Sequence, residues 1–211
     1  MRPAYPFPSL PFVEQREIET PHGPARAHLQ PVSSPRALLV LGHGAGGGVT
    51  APDLVTAAEE AVKAQVSVAL IEQPYRVAGR KSPAPAHQLD AAWLAVVDAL
   101  RGEVPLLCGG RSSGARVACR TAADAGAAGV LCLAFPLHPP GRPEKTRLPE
   151  LEAVEVPVLI VQGVSDPFGM PPEAPGREVV RLKGDHGLKS DRPGLRAAVS
   201  SWLEQRLTVS A

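Results

Sequence analysis

The chain of 211 residues contains no long apolar run. A membrane-spanning helix needs about 20 mostly apolar residues, and the longest runs here, such as 37–41 and 158–161, are strand-sized. Residues 1–12 are broken by four prolines, so they make a poor secretory signal and read as an extended leader. Cysteine is scarce and odd in number: Cys108, Cys119 and Cys132, each inside an apolar segment. That excludes a disulfide framework and suits reduced core thiols in a cytoplasmic protein. No Cys/His pair has metal-ligand spacing, so neither metal nor cofactor is expected. Charge of one sign is also lacking. The net value of +1 gives no pull toward nucleic acid or an anionic membrane. There is no internal repeat and no second domain, and the length suits one domain with a sizeable core.

What is present is an alternation. Residues 13–19 and 25–29 read as two short strands joined by the turn Pro21-His22-Gly23-Pro24, a hairpin. Buried strands follow at 36–41, 66–71, 105–109, 129–135, 156–163 and 177–182. Helices are expected at 53–64, with Thr50 and Asp53 in a capping arrangement, then at 87–101, 113–125 and 193–207, the last capped by Asp191. The stretches 72–86 and 136–155 read as loops. This pattern predicts a three-layer α/β fold, a mostly parallel sheet covered on both faces, with an N-terminal hairpin. A site in such a sheet forms on the loops that follow the strands.

Four of those loops carry chemistry. Gly110-Arg111-Ser112-Ser113-Gly114 fits G-x-S-x-G between a strand and a helix. A serine held clear of its backbone needs a turn so sharp that the residues two before and two after it nearly touch, and glycine at both places removes the clash. The spacing selects Ser112 over Ser113, whose corresponding neighbours are Arg111 and Ala115. On its own the pentapeptide also fits an idle Ser/Gly turn. Gly42-His43-Gly44-Ala45-Gly46-Gly47-Gly48 supplies candidate oxyanion donors. These are the backbone N–H of Ala45, or of Gly46 as second candidate, alongside that of Ser113. His43 is read as shaping this loop or lining the pocket, not as the base. Asp166, in Gly163-Val164-Ser165-Asp166-Pro167-Phe168-Gly169, and His186, in Lys183-Gly184-Asp185-His186-Gly187-Leu188, follow in the order Ser, Asp, His. His186 would take the Ser112 proton and Asp166 would orient the imidazole. Asp185 is too close in sequence to do the same and is read as a loop-fixing residue. His22, His28 and His87 read as surface residues.

His138 and Phe168 sit on strand-end loops where they would line the pocket or hold a loop. Arg76, Arg80 and Lys81 lie on another, and with Arg111 they would make an anionic-substrate site. The competing reading of Arg111 is an internal ion pair that orders the site, and Arg116 reads as structural. A different class of function also fits part of the sequence. Gly42, Gly44 and Gly47 satisfy G-x-G-x-x-G, with Glu72 where a ribose-binding acid would stand. Against a dinucleotide, the helix begins near Pro52-Asp53 and not on the glycine loop.

Together LGHGAGGG, GGRSSGAR, FPLHPPG, VQGVSDPFG and GDHGLK resemble the small, lidless α/β-hydrolases related to dienelactone hydrolase. That group includes bacterial hydrolases and the hydrolase-like subunit of a eukaryotic histone-acetylating complex. The resemblance spans roughly 36–207. It implies the α/β-hydrolase fold without a cap domain, and Ser112, Asp166 and His186 as a triad. Dienelactone hydrolases use a cysteine where this chain has Ser112, so their substrate does not carry over. Residues 136–155 are too few for a lid domain, which implies an open, shallow site. The expected activity is hydrolysis of small or water-soluble esters or thioesters through an acyl-enzyme on Ser112. The alternative is a hydrolase-like binding module without turnover.

Overall fold

The computed structural model describes residues 14–208. The leader expected at 1–12 lies outside them. Among the described residues eight strands form one sheet, in the order β1-β2-β4-β3-β5-β6-β7-β8. β1 (Glu14–Ile18) and β2 (Ala25–Gln30) are the antiparallel hairpin, and β2 pairs antiparallel with β4 (Val66–Glu72). From β4 outward every pairing is parallel, through β3 (Ala37–Gly42), β5 (Leu106–Arg111), β6 (Gly129–Leu133), β7 (Val158–Gly163) and β8 (Arg177–Leu182).

The parallel strands are apolar on both faces because helices cover both. Leu39, Leu41, Leu131 and Leu133 pack with α1 (Pro52–Lys63) and α6 (Arg192–Thr208). Val40, Val130 and Cys132 face the opposite layer, with α3 (Ala86–Leu100) and α4 (Ser113–Arg120). Two short helices complete the chain, α2 (Pro74–Val77) and α5 (Leu148–Glu152). No cap covers the sheet among the described residues. Residues 136–155 are fastened down, since Glu150 of α5 accepts from Arg116 of α4 at 2.9 Å and Arg147 donates to the Pro136 carbonyl. Among the described residues, no helix is long and apolar enough to cross a membrane.

Several boundaries differ from the sequence reading. β5 runs on to Arg111, because Gly110 pairs with Gly42 and Arg111 with Leu133. α4 stops at Arg120, and the following turns close at Gly126, whose φ is +60°. Asp191 caps α6 as expected, accepting from the Gly194 N–H at 2.9 Å. The Thr50–Asp53 cap does not form: residue 51 is the N-cap, without a side-chain bond, and Asp53 turns inward to Arg111. His28 is not a surface residue. It is buried on β2, 2.9 Å from the Glu72 carboxylate.

All three cysteines are free and buried. Burial pushes the Cys108 thiol up to about 12. A thiolate is the reactive form, so a chromogenic disulfide reagent should find no reactive thiol in the native protein and three after denaturation.

Candidate active site

The order β4-β3-β5 contains the switch point of the sheet. The chain leaves β3 toward β4 on one side and returns as β5 on the other. A crevice opens at such a place, beyond the carboxyl ends of the strands. β3 ends there in the glycine loop and β5 in the elbow.

The elbow is a close contact of three backbones. A Cβ on Gly110 would lie 2.7 Å from the Gly114 carbonyl carbon, and one on Gly114 would run into the Gly42 carbonyl. The close approach of Gly110 and Gly114 follows the spacing argument, but Gly42 is a third member that the sequence did not reveal. The turn sets Ser112 at φ +52° and ψ −109°, a strained conformation for a residue with a Cβ.

Ser112 Oγ lies 2.9 Å from His186 Nε2, and His186 Nδ1 lies 2.8 Å from Asp166 Oδ2. Nδ1–H donates to the carboxylate, so Nε2 accepts from the serine hydroxyl. Asp166 is buried. Its carboxylate also accepts from the Phe168 N–H and from Gln162 Nε2, each at 2.9 Å. Gln162 is wholly buried at the end of β7, and its amide nitrogen reaches the Gly169 and Phe135 carbonyls as well. The sequence reading missed it, although an amide inside an apolar strand signals buried partners. Gly163 lets β7 meet the base loop, since a Cβ there would lie 2.6 Å from the Gly184 carbonyl. The Phe168 ring rests against the His186 ring with centroids 4.3 Å apart. Asp185 fixes its own loop by accepting from the Gly187 N–H. His138 packs its ring against Gly169 and bonds the Pro139 carbonyl, so it holds the loop that carries Asp166.

The glycine loop is held from behind. His43 is buried, Nδ1 is 2.8 Å from the Gly44 carbonyl, and Nε2 accepts from the Gln73 N–H. These partners require the neutral tautomer with the proton on Nδ1. Burial, helped by the cation of Arg76, holds the His43 pKa below the ordinary imidazole value. Gly44 also accepts from the Gly47 N–H. In a trans peptide the N–H points away from the C=O. The Ala45 N–H, in the same plane as the Gly44 carbonyl, is therefore aimed away from His43. The Tyr75 hydroxyl donates to the Ala45 carbonyl at 2.9 Å and fixes the next peptide, that of Gly46. Neither the Ala45 nor the Ser113 N–H has an acceptor among the described residues.

Arg111 is not available for an anionic-substrate site. Its Nε lies 2.8 Å from Asp53 Oδ2, and its Nη2 donates to the His186 carbonyl at 3.1 Å. It is the internal pair of the competing reading, with its carboxylate on α1. Arg76 is half-buried on α2, while Arg80 and Lys81 are exposed. The features that hinted at a dinucleotide have other work. Gly42 packs on Gly114, and Glu72 bonds His28 and Arg26.

This fold, with a sharp Gly-x-Ser-x-Gly turn at its switch point, is that of the α/β-hydrolase class. The chain belongs to that family: residues 35–193 match the family model described as an alpha/beta hydrolase domain. A serine hydrolase without a lid from Xanthomonas campestris is similar in structure, with a TM-score of 0.75 at 19% identity, over 94% of this chain and 96% of that one. Est1E from Butyrivibrio proteoclasticus superposes with a TM-score of 0.74 at 18% identity, covering 92% and 99%. A dienelactone hydrolase from Anabaena variabilis gives 0.70 at 16%, covering 94% and 98%. No curated protein matches the chain in sequence.

Proposed function

We propose that this protein is a serine hydrolase that cleaves small or water-soluble carboxylic esters or thioesters through an acyl-enzyme on Ser112. The observation that carries the reading is the unbroken hydrogen-bond chain from Ser112 Oγ through His186 to Asp166. Ser112 Oγ attacks the acyl carbon as its proton passes to His186 Nε2. The oxyanion accepts the N–H groups of Ala45 and Ser113, the second at the electropositive start of α4. His186 then protonates the departing alcohol or thiol. Water attacks the acyl-enzyme, gives a proton to His186, and the carboxylic acid leaves with Ser112 restored. Asp166 holds the imidazole in the needed tautomer throughout, and Gln162 holds Asp166.

The absence of a cap among the described residues favours short or soluble acyl groups over long chains. The buried free thiols suit a cytoplasmic setting. A fluorophosphonate probe should label Ser112 in the native protein, and Ser112→Ala should abolish the labelling. Native protein that takes up no label would favour the binding module.

Tyr75 supplies a milder test. Tyr75→Phe removes the bond to the Ala45 carbonyl, worth about 0.5–1.5 kcal/mol. The loss falls on the loop that carries the Ala45 N–H, so kcat should drop about two- to twelvefold with KM little changed. Steady-state kinetics on a short ester check this, and an unchanged kcat would remove Tyr75 from the site.

A further inference from the structure

A groove of about 320 Å³ lies at the amino ends of β7 and β8, at the opposite end of the sheet from Ser112. Pro157, Val158, Ala174 and Trp202 give it an apolar wall, and Arg177, Arg206 and Glu178 its charge. Arg177 is nine-tenths buried. Its Nε donates to the Pro172 carbonyl at 2.9 Å, and no carboxylate pairs with it among the described residues. Arg206 is half-buried and has no ion pair among them either. Glu178 is exposed and pairs with neither. By contrast Arg111, Arg116, Arg120 and Arg196 each meet a carboxylate. Trp202 Nε1 and Arg206 Nε, buried donors of two lining residues, also find no acceptor among the described residues.

Arg177 is mostly buried, but its terminal nitrogens, which have no partner among the described residues, are not sealed from the groove, so a mostly buried cation offers open donors there. Arg206 stands in the last turn of α6, where the helix dipole offsets part of its charge. Arg177, at the start of a strand, has no such compensation. The groove is therefore lined by two guanidiniums with no carboxylate partner among the described residues. We propose that this groove is a second ligand site, for a small organic carboxylate. The carboxylate would take the Arg177 and Arg206 guanidiniums, whose geometry suits bidentate pairing. The hydrocarbon body would lie against Pro157 and Ala174, the partly exposed apolar residues of the wall, which is why a carboxylate with an apolar body is favoured over inorganic phosphate. The inference does not depend on catalysis at Ser112.

Isothermal titration with benzoate and, separately, inorganic phosphate tests it on the whole chain. Saturable benzoate binding is expected, at least tenfold weaker in Arg177→Gln and in Arg206→Gln, unchanged in Arg76→Gln at the other end of the sheet, and tighter than phosphate. Arg206 is the less buried of the two, so its variant keeps the test open if Arg177→Gln does not fold. Absence of saturable binding, undiminished affinity in Arg206→Gln, or loss of binding in Arg76→Gln would overturn the site. Phosphate binding as tightly as benzoate would overturn the carboxylate assignment.

Discussion

Ser112→Ala should lower kcat/KM for a short-chain ester by roughly 10⁴- to 10⁶-fold, about 5 to 8 kcal/mol of transition-state stabilisation. The size follows from the role proposed for the hydroxyl: it would form the acyl bond, and no other group among the described residues stands 2.9 Å from His186 Nε2 ready to replace it. The fold should survive, because Ala keeps the Cβ that Ser112 already carries at φ +52°. The melting temperature should therefore stay close to the parent value. Members of a triad act as one unit, so adding His186→Ala should cost little more than Ser112→Ala alone. That non-additivity separates a triad from a serine that merely lines a pocket. Retention of more than about a tenth of the parent rate in Ser112→Ala, with purified folded protein, would sink the acyl-enzyme reading.

The parallel core was legible in the sequence because strands buried on both faces must be unbroken apolar runs. β6 and β7 are buried along their whole length. The Gly110–Gly114 contact was legible because a steric rule ties those positions to a serine midway between them. What escaped was short or long-range. α2 and α5 have four and five residues, too few to display a helical period. Gly110 and Arg111 look like a turn but stay in the sheet, since backbone pairing to Gly42 and Leu133 ignores side-chain propensity. Asp53 imitates a helix-capping residue, and only the folded chain brings it to a cation 58 positions away. Tyr75 acts through a carbonyl 30 positions away, so local pattern carried no trace of its partner, whereas Gln162 stands only four residues before the carboxylate it holds, and only the fold of the loop turns its amide back onto Asp166.

Arg111→Met should destabilise the protein by about 3 to 5 kcal/mol at neutral pH, because it leaves a buried carboxylate without its cation. For a chain of this length that is a fall in melting temperature of roughly 6 to 20 °C. The Asp53 side chain is fully buried and the Arg111 guanidinium is mostly buried, so solvent screening does little to soften the loss. The penalty should depend on pH in a definite direction. Burial already holds the Asp53 carboxyl above its ordinary value despite the attraction of Arg111. Removing the guanidinium raises it further. A carboxyl with a raised pKa in the folded state binds its proton more tightly there than in the unfolded chain. Stability is then lost as pH rises through the window between the ordinary and the raised value, and regained on acidification. The gap between Arg111→Met and the parent should therefore be larger at pH 8 than at pH 5. Asp53→Asn added to Arg111→Met should recover most of the neutral-pH loss, because a neutral amide has no charge to strand. Activity should fall as well, since Arg111 Nη2 bonds the His186 carbonyl and thereby fixes the base loop against the elbow. An approximately tenfold or greater drop in kcat is expected at temperatures where the variant is still folded. Thermal melts of the parent and the two variants at the two pH values decide the matter: an equal penalty at both, or no rescue by Asp53→Asn, would show that the pair is not what Arg111 contributes.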